Sequence, residues 1–309
     1  MPRKIVLDCD PGHDDAIALL LALASPEVEL LGVTTVHGNQ TLEKTTANAL
    51  KVLDFVGRAD VAVAAGADRP LRRESFLGDY VHGKSGLDGP ALPPPSRGPL
   101  DQHAVDFLAE TVLASPEPVT LVPTGPLTNV GLFLALHPGA AARLSRIVLM
   151  GGAIGEGNVT PAAEFNIWCD PEAADRVFSS GLSVTMVGLD VTHKALVGPA
   201  HAEQLRRSGR VGAMVAELLE FYGRFHRETY GWNGSPIHDA VALAHAFKSG
   251  LVDTVRTGVK VDCDSGLGRG RTNVDLHGRM GWQPNAEVAV DIDADGFVSL
   301  LVERIASLG

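Results

Sequence analysis

The densest chemistry in this sequence is a group of four carboxylates, Asp8, Asp10, Asp14 and Asp15, inside the run Asp8-Cys9-Asp10-Pro11-Gly12-His13-Asp14-Asp15. Like charges a few ångströms apart repel unless protons or a cation neutralise them. The segment holds no Lys or Arg, so a bound divalent cation answers the repulsion. All-oxygen ligands favour Ca²⁺ or Mg²⁺ over zinc. The competing reading is a solvated turn in which a carboxylate caps the following helix.

Other segments offer groups that could complete such a site. His238-Asp239 follows a turn-rich stretch and opens a helical pattern, so Asp239 is either an ordinary first-turn acid or a second source of carboxylate. Pro123-Thr124-Gly125-Pro126 marks a sharp strand-to-helix turn, where a carbonyl could be aimed at a hard cation. Glu164 and Asn166 stand two apart; in an extended segment both would project from one face and suit hydroxyl recognition. Asp170 before Pro171 reads as an N-cap with Pro at the first helical position. His37-Gly38-Asn39 and Val81-His82-Gly83 add polar groups in loops.

These segments need a scaffold, and the pattern supplies one. Strand-like runs at 5–8, 28–36, 61–64, 119–123, 147–150 and 184–187 alternate with helical spacing at 16–24, 41–56, 105–114, 130–136 and 171–179. The alternation predicts a Rossmann-like α/β fold with a mainly parallel open sheet and helices on both faces. After about residue 200 come helical patterns at 211–230 and 239–247, a β-like part ending at 288–292, and a last helix near 298–305. No linker or repeat interrupts the chain, so residues 1–309 read as one domain. Ligands of open parallel sheets sit beyond the carboxyl ends of the strands, where most of the polar segments above fall. The long irregular stretch 66–99 is placed to cover such a site.

Composition narrows the partners. The 309 residues carry 26 Lys+Arg against 37 Asp+Glu, a net charge of −11, which argues against nucleic acid and against an anionic membrane surface. At 45% hydrophobic residues the chain has ample core material, excluding disorder. Its three cysteines, Cys9, Cys169 and Cys263, lack metal-ligand spacing and read as reduced thiols. The longest clean apolar run, 16–24, is less than half of the roughly 20 residues a bilayer requires. The N-terminus enters a strand without an apolar signal core. A soluble cytoplasmic protein is expected.

Assembled in order, from Asp8 to Asn285-Ala286-Glu287-Val288, these segments resemble the nucleoside hydrolase family, the inosine-uridine preferring nucleoside N-ribohydrolases. One departure is Cys9, where that family's pattern has Thr; it alternates away from Asp8 and Asp10, so only a packing change is expected. The resemblance implies Ca²⁺ held by Asp10, Asp15, the Thr124 carbonyl and Asp239. It makes Asp10 the base for the attacking water and gives the ribose hydroxyls to Asp14, Asn39, Glu164 and Asn166, with Met150 lining the sugar pocket. His238 would assist the leaving base, His82 would lie near it, and His at 238 is similar to the His-bearing subgroup. The resemblance also suggests a homodimer or homotetramer working in purine and pyrimidine salvage and ribonucleoside catabolism.

The chemistry has its own logic. Breaking an N-glycosidic bond builds positive charge on the ribosyl ring, which carboxylates stabilise, and imidazole can offer the departing base a proton or hydrogen bond. Tyr222, His226 and Tyr230 are four apart and share one helix face; they read either as base-stacking groups or as helix-packing aromatics. Two rival classes compete with this reading. An aspartate-nucleophile phosphohydrolase needs Ser or Thr where Gly12 stands and nearby phosphate-binding cations, which are absent. A nucleoside-binding protein with a structural calcium would show no turnover.

Overall fold

The computed structural model describes residues 1–309. The chain runs β1 (Arg3–Cys9), α1 (His13–Ala24), β2 (Val28–Thr35), α2 (Leu42–Phe55), β3 (Val63–Ala65), α3 (Asp79–His82), α4 (Ala104–Ala114) and β4 (Val119–Pro123). It continues through α5 (Thr128–Leu136), α6 (Pro138–Ala141), β5 (Leu144–Met150), α7 (Phe165–Cys169), α8 (Pro171–Phe178), β6 (Val184–Val187), α9 (Leu189–Thr192) and β7 (Leu196–Val197). The last part is α10 (Pro199–Arg206), α11 (Arg210–Tyr230), β8 (Ser235–Pro236), α12 (His238–Phe247), β9 (Val252–Thr257), β10 (Val259–Val261), β11 (Thr272–Val274), β12 (Ala286–Ile292) and α13 (Ala294–Ala306).

Eight strands form one sheet in the order β3-β2-β1-β4-β5-β6-β12-β9. All neighbours are parallel except the edge strand β9, antiparallel to β12. This is the single-domain α/β architecture expected from the strand–helix rhythm. Alternation along β1 builds a core on each face: Ile5, Leu7 and Cys9 join the layer of α1, α12 and α13, while Val6 joins that of α4, α5 and α8. Cys9 is buried in the first layer, its thiol facing the Thr34 carbonyl, so its place in the acidic run is a packing matter.

Strand order reverses between β1 and β4, whose connections leave in opposite directions. A crevice opens at such a switch point. Loops after β1, β2, β4 and β5 end there, carrying Asp10, Asn39, Thr124 and Glu164 in turn, and His193 follows at the end of α9, which succeeds β6.

Candidate active site

A cleft with a cavity volume of about 70 Å³ lies at this switch point. Asp14, Asn39, His82, Thr124, Met150, Glu164, Asn166, Tyr222, His226, Tyr230, His238 and Asp239 line it, whereas Asp8, Asp10, Asp15, His37 and Asp170, also singled out from the sequence, are buried outside its lining.

The floor is acidic. Asp14, Asp15 and Asp239, all buried, bring carboxylate oxygens within 4.8 Å of one another. Asp14 and Asp15 stand in the first turn of α1 and Asp239 in the first turn of α12. Helix N-termini favour carboxylates, each by about 0.3–2 kcal/mol, which is too little to hold this many charges together. Asp15 carries the capping role that the plain-turn reading assigned: it accepts from the amides of Gly12 (3.1 Å) and Asp10 (3.3 Å). The Thr124 hydroxyl (2.9 Å) and the Asn39 side-chain amide (2.9 Å) also donate to it. The turn is fully buried rather than solvated.

Asp10 is held differently. Its Oδ2 accepts from the Asn39 amide at 2.7 Å, whereas Oδ1 is buried without any partner. Gly125 and Gly38 press against the two oxygens: a methyl at Gly125 would lie 2.6 Å from Asp10 Oδ1. Asp8 turns toward α5, its Oδ1 accepting from Thr34 and from Asn129 (2.8 Å), and its Oδ2 is likewise buried without a partner. Burial pushes its carboxyl up to about 6. It belongs to the scaffold of the run, and Asp10, Asp14 and Asp15 to the cleft.

Burial, reinforced by mutual repulsion, raises Asp10, Asp14 and Asp239 above the usual carboxylate range, and burial raises Asp15 despite its donors. No Lys or Arg lines the cleft. The donor set is all oxygen, buried, convergent and short of one neutralising charge. These are the properties a hard divalent cation requires. The Thr124 carbonyl accepts from the Asn166 amide at 2.7 Å and has a second lone pair, and Thr124 lines the cleft.

One wall carries Glu164 and Asn166. Glu164 is not in an extended segment, as its spacing to Asn166 suggested. It N-caps α7, accepting from Asn166 (2.9 Å) and Ile167 (3.1 Å), and also from Gly152 (2.8 Å). Four orphan amides at a helix start attract such a cap, so the pair reaches the cleft as cap and first-turn residue. Burial outweighs these donors and brings the Glu164 carboxyl to about 7. Asn166 also donates to the Met150 carbonyl at 3.1 Å, fixing its amide so that Oδ1 is left over. Asp170 caps α8 ahead of Pro171, as expected.

The roof is aromatic and imidazole-rich. Tyr222, His226 and Tyr230 of α11 all line the cleft, and Tyr222 and His226 are also packed, with ring centroids 4.4 Å apart. His82, at the end of α3 inside the long irregular stretch, accepts at Nδ1 from the His13 backbone amide (3.2 Å). That stretch does border the site, and its root is tied down by Ala67 donating to Asn129 and Leu71 to Asp170. Burial pushes His82 and His238 well below the ordinary imidazole range and brings His226 to about 4. Burial therefore favours neutral rings in the roof.

Sequence reasoning missed Tyr80, Phe225 and His193 in the roof and Asn158 and Phe165 beside Glu164. His193 is the one with a legible signal, since it follows the sixth strand as the other site residues follow theirs.

Fold and cleft together define an α/β glycosidase of the nucleoside hydrolase class. A family model described as inosine-uridine preferring nucleoside hydrolase matches residues 5–299, and the chain belongs to that family. It is 51% identical over 311 residues, with complete coverage of both chains, to the pyrimidine-specific ribonucleoside hydrolase RihA of Salmonella arizonae. The Citrobacter koseri protein of the same name is also 51% identical, with 99% of each chain covered. Among solved structures, the purine-preferring ribonucleoside hydrolase from Gardnerella vaginalis superposes with a TM-score of 0.93 at 36% identity, covering 99% of both chains. An inosine-guanosine nucleoside hydrolase superposes with a TM-score of 0.90 at 29% identity, covering 98% of both. The chain is an enzyme that hydrolyses the N-glycosidic bond of ribonucleosides.

Proposed function

We propose that this enzyme is a calcium-dependent ribohydrolase that prefers pyrimidine ribonucleosides, releasing ribose and the free base. The observation that carries it is the unpartnered Asp10 Oδ1 buried beside three convergent carboxyls with no cationic side chain. The pyrimidine preference rests on relatives at 51% identity named for it, against 36% for a purine-preferring one.

Asp10, Asp15, the Thr124 carbonyl and Asp239 would hold the calcium. Bound there, calcium supplies the charge that keeps the carboxylates ionised and a Lewis-acid contact for water and the ribose hydroxyls. Asp10, with one oxygen pinned by the Asn39 amide, uses the free one to take the proton of the water attacking the anomeric carbon. Asp14, Asn39, Glu164 and Asn166 hold the ribose hydroxyls, and Met150 closes the sugar pocket. The carboxylate floor stabilises the positive charge that grows on the ribosyl ring as the base departs. His238, a neutral ring, donates a hydrogen bond to the leaving base, while His82, Tyr222, His226 and Tyr230 surround that base.

The family resemblance further suggests a homodimer or homotetramer acting in cytoplasmic ribonucleoside catabolism and salvage; sedimentation velocity reads the assembly directly. No helix is long and apolar enough to cross a membrane. The reaction itself is tested by ribose release from uridine, cytidine, inosine and adenosine. The uridine and cytidine rates should exceed the others at least about tenfold, a difference of ~1.4 kcal/mol, and equal rates would overturn the base preference.

A further inference from the structure

His238 reaches the roof with one ring nitrogen already engaged. Its Nδ1 lies 2.7 Å from the hydroxyl of Thr192, the last residue of α9. Thr192 is fully buried, and this is the only hydrogen bond its hydroxyl makes. A buried hydroxyl proton left without an acceptor carries an uncompensated desolvation penalty. If His238 carried its hydrogen on Nδ1, the Thr192 proton would have no acceptor. With Nδ1 as a lone pair, the proton is satisfied and the ring hydrogen moves to Nε2. Nε2 has no partner in the protein, and His238 lines the cleft.

We propose that Thr192 is a positioning residue for base departure: its buried hydroxyl holds His238 as the Nε2–H tautomer, so that a donor meets the leaving base. As the bond to ribose breaks, negative charge gathers on the ring nitrogen and carbonyl oxygens of the base, which an N–H stabilises and a lone pair would repel. His82 is set the same way by another device, its Nδ1 accepting from the His13 backbone amide. Only the Thr192 device can be deleted by changing a side chain. The inference rests on the reading that His238 meets the base.

The test compares Thr192→Val, Thr192→Ser and His238→Ala on uridine and on 4-nitrophenyl β-ribofuranoside, whose phenolate leaves without help. Thr192→Val, nearly isosteric, should lower kcat on uridine about 10- to 100-fold with KM within about twofold. On the nitrophenyl riboside it should match the parent enzyme, and Thr192→Ser should retain activity on both. Equal losses on both substrates would mark Thr192 as packing only and overturn the inference. Unchanged uridine turnover in Thr192→Val with a loss in His238→Ala would also overturn it, leaving the role of His238 intact. Unchanged uridine turnover in His238→Ala would remove the role of His238 and the inference with it.

Discussion

The floor and the roof of the cleft are both built from buried titratable groups, yet burial acts on them with opposite meaning. Below, burial drives Asp10, Asp14, Asp15 and Asp239 toward the protonated form. Above, it drives His82, His226 and His238 toward the deprotonated form. Both shifts lead to neutrality, because low-dielectric surroundings penalise charge of either sign. A neutral imidazole still donates a hydrogen bond, so the roof can work as folded. A neutral carboxyl can neither take a proton from water nor stabilise a cation, so under the proposed mechanism the floor would work only once a positive ion restores its charge.

The largest break in this contrast comes from the floor. Asp10→Asn keeps the shape of the side chain and removes its basicity. It should lower kcat by at least roughly 10³-fold, about 4 kcal/mol, on every nucleoside alike; ribose release measures it. A loss confined to one base would show that Asp10 belongs with the roof. Gly125→Ala is next. Its methyl would meet Asp10 Oδ1 at 2.6 Å and Val36 at 2.9 Å, and overpacking of this kind costs about 1–3 kcal/mol. A lowered melting temperature should accompany a fall in kcat across all bases, read by thermal denaturation and ribose release.

Roof changes should be smaller and base-dependent. Tyr230→Ala removes a half-exposed ring stacked on Trp232 at 4.5 Å. It should raise KM several-fold and alter the uridine-to-inosine ratio of kcat/KM, with kcat for the better substrate nearly kept, as expected for loss of about 1 kcal/mol of stacking. A uniform fall in kcat would place Tyr230 in the chemistry instead. Smallest of all is Cys9→Thr: the thiol is buried in the core and faces the Thr34 carbonyl. Stability by denaturant titration should move by less than about 1.5 kcal/mol, with ribose release unchanged.

The same contrast explains what could be read from the sequence. Asp10, Asp14 and Asp15 lie within six residues of one another, and unbalanced charge at that density has few physical explanations. The roof is gathered from α3, α9, α11 and α12. Tyr222, His226 and Tyr230 were legible through their shared helix face, whereas Tyr80 and Phe225 carry no spacing signal and emerge only when the chain folds. Glu164 was legible as a polar group beside Asn166, but its conformation was not: cap and extended pair share the same spacing, and the amides of Asn166 and Ile167 decide between them. The central parallel strands announced themselves as apolar runs. The edge strand β9, Val252–Thr257, did not, because its mostly exposed or half-buried polar residues give no continuous apolar signal.

The most direct test of the floor's dependence on a positive ion is ribose release from uridine, cytidine, inosine and adenosine before and after prolonged chelation, with calcium added back. The account predicts release led by uridine and cytidine, lost on chelation and restored by calcium. Full activity in protein shown to be free of metal, or no ribose from any of the four with calcium shown to be bound, would contradict it.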